Sequence, residues 1–254
     1  MSERAAVIYI YDGSFDGFLS AVFEAYEQKL PVSAIGAGSG IQPGFGDVVK
    51  EVATCSEKAR RVEKGILSKI GGMAHHNIWT CFWSGQPDKD TILYRYIRTG
   101  FELGRKVYSH LTHPDVIQVV YLHRNVTWET QHMKGFLRFS LMENGVYYAK
   151  IEPKNNLVPL LMPHFADRYH DMPFLIHDPN YRMIGVYDLS GWYLVEGEDI
   201  TLPETGEGED EFRRMWTMFC ETIAVEGRTN PRQQMNMMPK RFWRNMTEML
   251  PRNR

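Results

Sequence analysis

The stretch GFLRFSLMENGVYYAKIE, residues 135–152, decides the fold. It reads as two strands around Asn144-Gly145, the strongest short-range hairpin signal. A two-residue turn there sets Arg138 opposite Ile151, on one face with Phe136, Tyr147 and Ala149. The hairpin also marks a change of character along the chain. Downstream, the periodicity predicts a helix over about 157–171 and strands near 173–178, 182–188 and 191–195. That is a ββαββ order, which argues for an α+β fold.

Upstream the chain reads differently. Ala5 to Tyr11 is β-branched and aromatic and ends at the turn signal Asp12-Gly13. Ser14 then caps a helix whose stripe is Phe15, Phe18, Leu19, Val22, Phe23 and Tyr26. Asp47 to Thr54 predicts a second strand. Ser56 follows as the cap of a helix with Ala59, Val62, Ile66, Leu67 and Ile70 inward. Further helices are predicted over about 88–103 and 114–133, the second opened by Thr112-His113-Pro114. Gly36 to Gly46 lacks the Lys-Ser/Thr ending of a phosphate loop, and Ile41 stands where a dinucleotide fingerprint needs a third glycine. With no strand signal before it, this segment reads as a connector. The expected architecture is α+β: an N-terminal βαβα-like portion with extra helices over 1–108, then an antiparallel, hairpin-containing sheet packed with helices over 109–254.

Composition narrows the function classes. With 254 residues, 43% hydrophobic and 24% charged, the chain can bury a core without disulfides, and disorder is excluded as its main theme. A formal charge of −2 gives no global signature of a nucleic-acid or membrane binder. No apolar run approaches the roughly 18–20 residues that span a bilayer. The opening run lacks a basic n-region and a cleavage site, so it does not read as a signal peptide. Cys55, Cys81 and Cys220 are odd in number and far apart, which suits reduced thiols in a cytoplasmic protein. No CxxxCxxC, HExxH or GxSxG occurs, and His75-His76 and His110-x-x-His113 lack supporting ligands. Neither a metal nor a cofactor is expected.

Four constellations carry candidate chemistry. In the first, Leu157, Leu160, Leu161, His164 and Arg168 share one helical face, so a histidine and an arginine continue an apolar stripe; a buried arginine needs a partner. The second is Asp178-Pro-Asn-Tyr-Arg182, between two strands, where an Asp–Arg staple and an Asp acting as general base both remain open. The third, His132 to Phe139, brings Arg138 to the hairpin. Arg138, Arg168 and Arg182 would supply bidentate donors for phosphate or a base edge. The fourth is the C-terminus, where residues 228–254 hold seven basic residues against Glu248. A last helix from Pro239 to near Pro251 would pack through Phe242, Trp243, Met246 and Met249. Its Lys240, Arg241 and Arg244 could bind a nucleic-acid backbone, or Arg244 could pair with Glu248. Against this, residues 196–211 carry eight acids and no Lys or Arg. They lead into a helix with Phe212, Met215, Trp216, Phe219 and Ile223 on one stripe.

The run Tyr11-Asp-Gly-Ser-Phe-Asp-Gly-Phe18, the His132–Phe139 run, His164-Phe165-x-x-Arg168, Asp178-x-x-x-Arg182 and Asn230 through Met238-Pro239-x-Arg241-x-Trp243 together resemble the bacterial "probable DNA metabolism protein" family, a domain of unknown function. Members of that family are encoded beside a DNA-modification or repair radical SAM protein and are sometimes fused to a uracil-DNA-glycosylase-like domain. The resemblance implies a role in DNA repair or base modification. It also implies a central site of His132, Arg138, His164, Arg168, Asp178 and Arg182, with DNA, single-stranded or damaged, and the radical SAM protein as partners. Three functions are thus in play. One is a DNA-binding accessory protein; another is an enzyme acting on bases with His164 or Asp178 as acid/base; the third is a protein-binding adaptor. On the first, Arg168 is expected on the packed helix face and Arg138 pointing outward, with His164, Arg168 and Asp178 meeting in one cleft.

Overall fold

The computed structural model describes residues 6–38, 44, 46–197, 204–223 and 230–249. The chain forms two compact units, Met1–Thr127 and Trp128–Arg254. The division falls inside one continuous helix, α5 (Pro114–Phe136).

The first unit is built on three parallel strands in the order β2-β1-β3: β1 (Val7–Tyr11), β2 (Val32–Ala37) and β3 (Val48–Glu51). Between β1 and β2 runs α1 (Phe15–Gln28), whose Ser14 side chain accepts a hydrogen bond from the Gly17 N–H, as the cap reading requires. Phe18, Leu19 and Val22 of its stripe are buried, while Tyr26 is partly open. The strand missing from the sequence reading is β2. Its Val-Ser-Ala-Ile-Gly-Ala run is short and has small residues, and it precedes the Gly-rich segment directly, so Gly36 and Ala37 belong to the strand. Residues 39–43 and 45 of that segment lie outside the described residues.

After β3 come α2 (Ser56–Gly65), α3 (Gly72–Phe82) and α4 (Lys89–Leu103). Cys55, not Ser56, occupies the cap of α2, without a side-chain hydrogen bond. The continuation Ile66–Ile70 widens into a π turn that closes at Gly71, whose φ of 105° suits glycine. Leu67 consequently faces solvent instead of the core. A shared core of Tyr9, Phe18, Ile35, Ile66, Ile70, Phe82, Leu93 and Ile97 joins these elements.

The second unit carries a five-stranded sheet in the order β4-β5-β6-β7-β8: β4 (Ser140–Leu141), β5 (Tyr147–Lys150), β6 (Phe174–Asp178), β7 (Met183–Tyr187) and β8 (Trp192–Glu196). Only β5 and β6 run parallel, bridged by α6 (Val158–Arg168); the other pairs are antiparallel. Here the hairpin register differs by one from a two-residue turn. Leu141 pairs with Tyr147 and Ser140 with Tyr148, and the Gly145 N–H donates to the Met142 carbonyl. Gly145, at φ 79°, forms the left-handed end of a three-residue turn. Arg138 therefore precedes the paired residues, and the expected pairing with Ile151 is not formed.

Behind the sheet, α6 buries Val158, Leu161, Met162 and Phe165. This face is rotated from the expected one, leaving His164 half-buried and Arg168 exposed. Gly185 of β7 lets α6 approach, since a Cβ there would meet Met162 and Val158 side chains. The chain closes with α7 (Glu209–Thr222), α8 (Pro231–Met237) and two short 3₁₀ turns, Lys240–Asn245 and Thr247–Met249. These turns stand where a single final helix was expected, and they bury Phe242 and Met246. No helix among the described residues is long and apolar enough to cross a membrane.

Candidate functional site

A cleft of about 570 Å³ opens in the second unit. The end of α5 and the following loop contribute Lys134, Leu137, Arg138 and Phe139; α6 and its C-terminal turn add Phe165, Arg168 and Tyr169; α7 adds Glu209, Phe212, Arg213 and Trp216. Its walls are largely aromatic. Phe139 packs edge-on against Phe165, Tyr169 and Phe174, with ring centroids 5.4–5.6 Å apart.

The four cations of the cleft fall into two kinds. Arg138 is fully engaged: Nη2 and Nε donate to Glu248 at 2.6 and 3.3 Å, and Nη1 donates to the Gly135 and Leu137 carbonyls. Its guanidinium lies over the Trp216 ring at 5.6 Å, and the Trp216 indole N–H donates to the same carboxylate at 3.1 Å. Burial would raise Glu248, but the Arg138 hydrogen bond and charge outweigh it and hold the carboxyl below its ordinary range. Arg213 is likewise tied, to Glu209 at 2.9 Å and the Ser140 hydroxyl at 2.7 Å, while Glu209 also accepts from the Leu141 N–H. Lys134 and Arg168 differ. Among the described residues neither has a carboxylate partner; Arg168 only approaches the Tyr169 ring, at 5.7 Å. His164 stands beside them, and burial together with the Lys134 and Arg168 charges keeps its imidazole below the usual range. Lys134 and Arg168 thus bring two positive charges to the cleft, and among the described residues neither is paired with a carboxylate, although the Asp167 charge acts on the neighbouring His164.

The remaining sequence candidates lie elsewhere. Asp178 does not meet His164 and Arg168: it has no solvent exposure and does not line the cleft. Its Oδ1 accepts from the Asn180 and Tyr181 N–H groups, and Oδ2 is buried without a hydrogen-bond partner. Burial pushes its carboxyl up to about 7, and the Glu152 and Glu129 charges add to that. A base must reach the proton it takes, which this position does not allow. Arg182 is exposed at the β6–β7 turn, with φ 52°.

His132 joins an aromatic ladder along α5, its ring centroid 3.9 Å from Trp128 and 5.5 Å from Phe136. Its Nδ1 is 2.8 Å from the Trp128 carbonyl. Arg241, expected to face a backbone, reaches Glu129 at 3.1 Å and covers the Phe242 ring at 4.6 Å. Arg244 pairs with Glu152 at 3.5 Å and not with Glu248, and Lys240 lies over the Trp243 ring at 5.8 Å. Sequence reasoning missed Lys134, Glu209 and Arg213 as cleft residues. The i, i+4 spacing of Glu209 and Arg213 was the one local signal available. Among the described residues, no three His, Cys, Asp or Glu side chains are grouped to hold a metal ion.

Fold and cleft together define a mixed α+β protein whose second unit carries a cation-rimmed aromatic cleft. It belongs to the family described as a domain of unknown function, DUF4130, whose model matches residues 87–248 and so contains every residue lining the cleft. No match was found among curated proteins.

Proposed function

We propose that this protein binds DNA through the cleft of its second unit and assists base repair or modification. The observation that carries the reading is the pair of cations without acidic partners, Lys134 and Arg168, on the rim of an aromatic-walled cleft. Phosphate is the anion that such a pair meets beside a ring-binding surface, and a cation left unpaired in the free protein keeps its charge available to a ligand. The resemblance to the DNA metabolism family supports a radical SAM enzyme as the partner in that task. A second reading, a protein-binding adaptor, is favoured by Met215, Met218 and Phe219 of α7, each more than half exposed.

The test is direct. A Lys134→Gln, Arg168→Gln variant should lose at least about tenfold in oligonucleotide affinity, a loss of two charge-assisted contacts, while its melting temperature holds. Unchanged affinity in a folded variant would remove DNA from this cleft.

A further inference from the structure

We infer that the cleft receives one unstacked base of single-stranded DNA, seated against Phe212 of α7, and this rests on the DNA reading above. Phe212 lines the cleft and yet remains 58% exposed, one α-helical turn before Trp216. Trp216 is immobilised by Glu248 and the Arg138 guanidinium, so the wall beside Phe212 is rigid. A large ring more than half open to water at the mouth of a cavity gains further burial when a flat apolar face covers it. Nucleobases offer such faces, but only when unstacked.

A duplex hides those faces and presents phosphates alone. The cleft's volume of about 570 Å³ suits a small ligand and not the width of a helix. Lys134 and Arg168 then hold the phosphate adjoining the seated base. The occupant fixed by this chemistry is a strand with at least one unpaired base. A fully paired duplex would use the cations without the ring.

Anisotropy titrations of a labelled single strand of about 12 nucleotides, and of its blunt duplex, test this. The wild type should prefer the single strand. Phe212→Ala should weaken that binding about tenfold and leave duplex affinity unchanged, and Phe212→Tyr should restore it. Because Phe212 is exposed, the substitutions leave the fold intact, which circular dichroism checks. Silence of Phe212→Ala on the single strand, or an equal loss on both forms, would overturn the inference while leaving DNA binding standing. Failure of the wild type to bind either form would overturn both.

Discussion

At the residue scale, Arg138 and Arg168 exchange the roles their sequence positions suggest. Arg138 is the buttress. Its removal strands the Glu248 carboxylate, whose side chain is 10% exposed, and frees the Gly135 and Leu137 carbonyls. Arg138→Ala should therefore cost about 2–3 kcal/mol and lower the melting temperature, whereas Arg168→Ala should leave it in place. Equal melting curves would refute this assignment. Asp178 makes a second residue-scale prediction. Its carboxyl is raised in the folded state from 3.8 to about 7, so between those values the folded protein binds the proton that the unfolded chain has released. Stability from this group is greatest in acid and falls as pH rises towards 7. Asp178→Asn keeps an oxygen for the Asn180 and Tyr181 N–H groups and carries no charge. Its stability relative to the wild type should climb by a few kcal/mol from about pH 4 to pH 7 and then level off. Denaturant titrations across that range check it, and a constant difference would refute it.

At the element scale, what periodicity and capping can express was legible. The α1 stripe with its Ser14 cap, the helices α4 and α5, and all three strands β6 to β8 lie where the pattern puts them. What failed was local geometry that depends on distant contacts. β2 pairs with β1 in a parallel sheet, so its identity depends on a partner more than 20 residues away, and its small residues carry weak strand propensity. α3, Gly72–Phe82, was missed because it opens on Gly71-Gly72 and has no side-chain cap. The hairpin shows how small a slip matters: a third turn residue ending on Gly145 moves the register by one and turns each side chain to the other face. On α6 the buried face was misjudged by about one residue step, since the wheel weighted Leu160 over Phe165. That error alone moved Arg168 from core to rim. The cleft itself was only partly legible, because α7 reaches it from some 70 residues downstream of the hairpin.

At the scale of the whole molecule, charge must be argued locally. Residues 128–254 contain 15 Lys and Arg against 18 Asp and Glu, so the unit bearing the cleft is net acidic. Four of its cations are spent inside the fold: Arg138 on Glu248, Arg213 on Glu209, Arg241 on Glu129 and Arg244 on Glu152. DNA binding through the cleft, as proposed, would differ from binding by a basic stripe, whose affinity collapses with salt. Each phosphate neutralised on a single strand contributes a slope of about 0.7 in log K against log salt, and Lys134 and Arg168 together give about 1.4. Replacing Lys240, Arg241 and Arg244 with Gln should leave that slope unchanged, although loss of Arg241 from the Glu129 carboxylate, itself 1% exposed, should lower the melting temperature. Replacing Lys134 and Arg168 should bring the slope close to zero. A wild-type slope of about 4 or more, abolished by the C-terminal triple variant, would instead place the phosphate contacts on the last turns of the chain, and the cleft would have to be read without DNA.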